Sequence, residues 1–165
     1  MKYFTKEWCF SNLEEAEIGK RIKSYKDYID KIYEKLPFTL KILAKTLNIH
    51  DGIIKKVTFD MANDMLILEG VFGDLQVGYF SLKVNYINVS NINTDVLISN
   101  FRNQKVNVLS DEIEMISKNR FSHKMFFSTK KETEILFEDM EIAIRSEDQE
   151  NFKTELCQIE VLEGH

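Results

Sequence analysis

One proline, six glycines and two cysteines are all that punctuate 165 residues, and each scarcity removes a class of explanation. So little proline and glycine excludes collagen-like and linker-rich architectures. It also leaves phosphate cradles poorly supplied: there is no phosphate-binding glycine loop and no Gly-x-Ser-x-Gly elbow. Cys9 and Cys157 lie near opposite ends and form no Cys-x-x-Cys pair, so neither a disulfide framework nor a zinc knuckle can be read from them. No segment approaches the roughly 20 apolar residues that span a bilayer, and the opening residues lack the order of a signal peptide. The expectation is a cytoplasmic protein with no membrane contact. A net charge of -5 lacks the surplus of Lys and Arg that neutralises phosphates, so no nucleic acid is expected as a partner.

What is present suits an ordinary globule. The chain is 44% hydrophobic and 30% charged, with twelve Phe and six Tyr to fill a core. Its length fits one domain, taken as residues 1–162. Glu163-Gly164-His165 reads as the start of an appended tag and is kept out of any site.

The organising feature is a change of hydrophobic period near His50. Ile18, Ile22, Tyr25, Ile29, Ile32 and Leu36 recur at alternating steps of four and three, which lines one face of a helix. Ser11-Asn12-Leu13-Glu14 has the form of a capping box for its start. Pro37 breaks the stripe, and Leu40, Leu43 and Leu47 resume it. Such spacing also describes a short coiled-coil seam, but about three heptads favour docking on the domain's own sheet. From Ile53 onward, runs such as Lys55-Lys56-Val57-Thr58-Phe59-Asp60 alternate as a strand with one wet face does. Six strands are predicted: 53–60, 65–72, 75–89, 106–116, 121–128 and 133–144. In the last, Leu136, Met140 and Ile142 take one parity and Ile135 and Phe137 the other, which suggests a strand covered on both sides, in a sheet that curls strongly or is sandwiched between helices and a second layer. Segments 96–103 and 147–162 are open between helix and strand. The expected fold is therefore α+β: an N-terminal helical pair (5–48) packed on a curved, mostly antiparallel sheet (53–146).

Three residues stand out as candidates for chemistry. His50-Asp51 sits where helices hand over to the sheet, and a histidine beside an acid can act as a base or metal ligand near neutrality. The same residue types also cap a helix and set the turn before Gly52. His123 shares its strand face with Phe121, Met125 and Phe127, the setting of a core histidine. No His-x-x-x-His or Glu-x-x-His spacing occurs, so no metal or other cofactor is expected unless His50, Asp51 and His123 converge. The acids Asp111, Glu112 and Glu114, and Glu138, Asp139 and Glu141, read as solvated charge.

The opening Met1-Lys2-Tyr3-Phe4-Thr5-Lys6-Glu7-Trp8 resembles the start of a family of bacterial proteins of unknown function. The Leu36-Pro37 step, the His50-Asp51 junction and the hairpin from Phe121-Ser122-His123 to Phe137 are similar to such chains more loosely. The resemblance implies a bacterial, cytoplasmic origin and carries over no activity, cofactor or site. The leading expectation is a non-enzymatic domain that binds a protein partner or a copy of itself through a strand edge or the Ile18–Leu36 helix. The alternatives are a metal-dependent or acid-base hydrolase using His50, Asp51 and His123, and a curved sheet enclosing a small apolar ligand.

Overall fold

The computed structural model describes residues 1–10, 13–90, 94–153 and 155–164. A short turn of helix, α1 (Lys6–Cys9), precedes α2 (Glu15–Ile32), the helix expected from the stripe. Ser11 and Asn12 of the capping box lie outside the described residues, and the side chain of Glu14, immediately before α2, makes no capping bond. Tyr33–Lys35 tightens into a 3₁₀ turn. Leu36 is then extended, as a residue before proline must be, and α3 (Phe38–Lys45) starts directly after Pro37.

Four helices and eight strands are present among the described residues. Strands β1 (Ile53–Asp60), β2 (Met65–Asp74) and β3 (Gly78–Ile87) form an antiparallel meander. Helix α4 (Thr94–Phe101) settles the ambiguity of 96–103 by burying Leu97, Asn100 and Phe101. It also interrupts the expected order of helices first and strands second. Strands β4 (Val106–Ser117), β5 (Arg120–Phe127), β6 (Glu132–Phe137) and β7 (Asp139–Glu147) follow, and β8 (Gln158–Leu162) lies parallel to β1.

The strand order is β6-β5-β4-β1-β2-β3-β7, with β8 beside β1. This corrects the count of six. The predicted strand 133–144 is two strands, and its double-sided pattern is a change of parity at Glu138: Ile135 and Phe137 point inward from β6, Met140 from β7. Strands β6 and β7 occupy opposite ends of the order yet are joined by Glu138 alone, so the open sheet must curl until its ends approach. Ser90 donates to the Leu136 carbonyl at 3.0 Å across that gap, and Glu138 to the Ile87 carbonyl at 3.0 Å.

Register builds the core in rows. Val57, Leu68, Val84 and Ile142 are successive neighbours across β1, β2, β3 and β7, and Phe59, Leu66, Tyr86 and Met140 form the next row. One hydrophobic cluster joins these rows to Ile29, Ile32, Leu40 and Leu43 of α2 and α3 and to Phe121, Phe127 and Phe137 on the other half of the sheet.

The curl leaves a split. Strand β4 pairs with β1 at only two positions, Ile53 with Asn107 and Ile54 with Val106, and then departs. Bare strand edges carry unpaired amides that must find partners. On β1 the partner is β8. On β4 it is α2: the Tyr25 and Tyr28 hydroxyls accept from the Ile113 and Met115 amides at 2.8 and 3.0 Å. This face of α2 is therefore turned to its own sheet. No helix is long and apolar enough to cross a membrane among the described residues.

Two glycines test the packing. A Cβ at Gly52 would fall 1.7 Å from Cδ1 of the fully buried Phe72, whereas one at Gly19, on the outer side of α2, meets nothing within 4 Å. Gly52→Ala is expected to destabilise by about 1–3 kcal/mol, and Gly19→Ala to stabilise by about 0.5–1 kcal/mol. Urea midpoints at unchanged m-value are the check.

Candidate functional site

The site is built where β4 leaves β1. Glu112 on β4 is 3% exposed, and its carboxylate accepts three consecutive backbone amides of the N-terminal segment: Lys2 at 2.9 Å, Tyr3 at 2.6 Å and Phe4 at 2.7 Å. A buried carboxylate needs such compensation, and successive amides curving around an anion supply it without a side-chain cation. Arg21 of α2 holds the same segment from behind, donating to Thr5 Oγ1 at 2.8 Å. Tyr3 and Phe4 pack on Tyr25 with ring centroids 5.3 and 5.0 Å away, and Phe4 on Trp8 at 4.7 Å.

This seating creates a cleft of about 320 Å³ between the segment, the turn before β1 and the β4 edge, lined by Phe4, Trp8, Asn48, His50, Ser110 and Asp111. Asp111 Oδ2 accepts from Nε2 of His123 at 2.9 Å, and the other ring nitrogen, Nδ1, lies 2.7 Å from the Tyr86 hydroxyl. Burial first, and the Asp111 charge second, push the Tyr86 phenol far above its ordinary range. The phenol therefore stays protonated, and Tyr86, His123 and Asp111 form one continuous chain of hydrogen bonds. Tyr86 comes from β3 and His123 from β5, so the chain of bonds crosses the core between the two halves of the sheet and ends on a carboxylate that is partly open to the cleft.

The sequence candidates occupy different places around that carboxylate. His123 is 1% exposed, with both nitrogens engaged. His50 lines the cleft and is half exposed; its Nδ1 meets Asp51 at 3.0 Å. Asp51 takes a positive φ of 61°, and its amide bonds the Val108 carbonyl at 2.7 Å. The His50 amide donates to Asn48 Oδ1 at 3.0 Å, so the junction is a turn fastened to β4. Among the described residues no group of three or more His, Cys, Asp or Glu side chains is placed to hold a metal. For His123 to ligate one, it would have to surrender Tyr86 or Asp111.

Other residues were not legible as site members. Asp111, Glu112 and Glu114 are not simply solvated: the first bonds His123, the second is the buried anchor, and the third pairs with Lys124 at 2.9 Å. Strand parity was the available signal, since Asp111 shares its parity with inward-facing Ile113. Two groups resemble nucleophiles and are committed elsewhere. Ser110 Oγ donates to the Phe4 carbonyl at 3.2 Å, and the Cys9 thiol, 3.3 Å from that hydroxyl, is pushed up by burial.

No family model, curated protein or solved structure matches the chain.

Replacing Tyr86 by Phe leaves His123 Nδ1 buried without a hydrogen-bond partner, and a loss of about 1–3 kcal/mol is expected in denaturant unfolding. A second expectation concerns pH. Burial pushes the Cys157 thiol up to about 12 and raises the Tyr25 and Tyr86 phenols still further. Above the ordinary thiol and phenol pKa values, the folded state keeps protons that the unfolded chain releases, so stability falls as pH rises from about 9 toward 12. Melting curves at pH 8, 9.5 and 11 check the sign.

Proposed function

We propose that this protein is a bacterial, cytoplasmic binding domain without catalytic chemistry, and that its recognition site is the cleft at the free edge of β4. One observation carries the proposal: the cleft presents the rings of Phe4 and Trp8 beside the Asp111 carboxylate, while His123 and Ser110 are bonded into the scaffold and His50 pairs with Asp51. A general base must be free to take a proton. His123 reaches the cleft only through Asp111, Ser110 Oγ donates to the Phe4 carbonyl, and the His50 imidazole is paired with the Asp51 carboxylate. Against the small-apolar-ligand alternative stands the packing of Tyr86 and Phe121 on Phe137, with ring centroids 5.2 and 6.0 Å away, inside the curled sheet. The resemblance of the first eight residues supports the bacterial origin.

Trp8 is the only tryptophan in the chain and lines the cleft, so its fluorescence reports occupancy directly. Titration with a panel of neutral, anionic and cationic fragments is expected to give saturable changes for some of them. Those changes should be lost when Asn48→Phe fills the mouth of the cleft. Ester, phosphate and peptide substrates should show no turnover above buffer. Turnover that His50→Asn or His123→Asn abolishes would instead make the protein an enzyme.

A further inference from the structure

The sheet face turned away from the core carries cations that the protein leaves unanswered. Along β3, Leu82, Val84 and Tyr86 join the hydrophobic cluster, so Ser81 and Lys83, at the alternate positions, point outward. Register sets Ser81 opposite Arg145 of β7, and Lys83 opposite Ala143 of β7 on one side and Glu69 of β2 on the other. Each long cation therefore faces a small residue across the β3–β7 pair. The space above those small residues stays open, as a depression of about 380 Å³ that Val71 also lines.

Lys83 and Arg145 are diagonal neighbours on this face, about 7–8 Å apart by sheet geometry. Among the described residues neither makes an ion pair, and the Ser81 hydroxyl has no hydrogen-bond partner. The neighbouring acids do not answer them. Glu141 and Glu147, on the same face of β7, accept from Asn85 and Asn151 at 3.4 and 2.8 Å. Glu69 stands opposite Lys56 as well as Lys83 and reaches ion-pair distance of neither. At the far rim Lys55 is engaged, donating to the Lys153 carbonyl at 2.6 Å and pairing with Glu155 at 3.5 Å. A surplus of positive charge is thus gathered over one depression in a protein whose net charge is -5. Like charges placed this close repel, and an anion seated between them removes the repulsion.

The lining also limits what carries the anion. The Arg145 guanidinium is a planar fork that matches the oxygens of a carboxylate or phosphate, Lys83 adds a point charge, and the Ser81 hydroxyl offers a further donor. Val71 is 7% exposed yet takes no part in the central cluster, so with Ala143 it gives the depression an apolar patch. An inorganic anion would meet the cations and leave that patch bare. A nucleic-acid strand would ask for stacking rings, and no aromatic residue lines the depression.

We infer that this depression binds a small organic anion, with Arg145 and Lys83 taking its phosphate or carboxylate group, the Ser81 hydroxyl donating to that group, and the apolar body lying over Val71 and Ala143. The site shares no residue with the cleft at β4 and does not depend on the role given to it.

The test is amide NMR of the intact, isotope-labelled protein titrated with n-butyl phosphate, butyrate, inorganic phosphate and n-butanol. Both organic anions should shift the amides of Ser81, Lys83, Ala143 and Arg145 saturably, and the tighter of the two names the head group. Butanol should bind about tenfold more weakly than either. Inorganic phosphate should bind about threefold more weakly than butyl phosphate, and equal affinity would overturn the part given to the apolar body. Lys83→Gln and Arg145→Gln, both at exposed positions where folding is not at stake, should each weaken the organic anions about tenfold. Lys118→Gln, in the turn between β4 and β5, should leave them unchanged. Equal losses in Lys118→Gln and Lys83→Gln would mean general counter-ion attraction and overturn the site. So would the absence of saturable shifts from both organic anions, which would leave Lys83 and Arg145 as charges that guard the edge strand β7 against pairing. Trp8 reports the other cleft, so either result here leaves the reading of that cleft to its own titration.

Discussion

A buried carboxylate with no ion-pair contact, held by backbone amides, governs the N-terminal half of this protein. Placed in an apolar setting, the Glu112 charge would be prohibitive unless several donors converged on it. The donors are the amides of Lys2, Tyr3 and Phe4, so the strand can bury its glutamate only by capturing the first residues of the chain. The captured segment then does three things. It lays Tyr3 and Phe4 against Tyr25 of α2, gives Arg21 a hydroxyl and a carbonyl to hold, and places Phe4 and Trp8 as one wall of the cleft. Terminal residues normally fray because few contacts oppose their conformational entropy. Here they are part of the packing.

The need for that segment arises from topology. A sheet whose consecutive strands β6 and β7 sit at opposite ends must curl, and the curl separates β4 from β1 after two paired positions. Each bared edge acquires a different cover, β8 on one and the tyrosines of α2 on the other. Between the last β1 contact and Tyr25, the edge of β4 carries Ser110 and Asp111, and there the cleft opens. The Tyr86–His123–Asp111 chain crosses the core at the same level. Its effect is to orient the carboxylate from behind and to tie the two halves of the curled sheet together at the point where backbone pairing has ended.

Much of the fold was legible because it depends on local period. The stripe from Ile18 to Leu36, the break at Pro37, and the alternation that begins at Ile53 follow from side-chain geometry within a few residues. The α+β class followed from them. Failures came where long-range pairing decides. Thr133 to Ile144 reads as one strand because nothing local marks Glu138 as the place where the chain changes partner and parity. The tail could not be assigned, because a short parallel strand such as β8 exists only where β1 has lost β4. Helix α4 is similar, its three buried residues having meaning only against the far half of the sheet. Candidate chemistry divided the same way. His50, Asp51 and His123 were visible as residue types, but the carboxylate that bonds His123 and shares the cleft with His50 was not. The roles of Asp111 and Glu112 depend on which face of β4 each occupies after the bulge between Val108 and Ser110, and on a segment more than a hundred positions away in sequence.

Amide hydrogen exchange at the first four residues tests the central claim most directly, with wild type compared to Glu112→Gln. Capture by the carboxylate requires that the Tyr3 and Phe4 amides exchange far more slowly than in a free peptide, and that this protection collapse in the variant while core amides such as those of Val57 and Val84 keep theirs. Free-peptide exchange at Tyr3 and Phe4 in the wild-type protein would contradict it, and the cleft would then have no fixed wall.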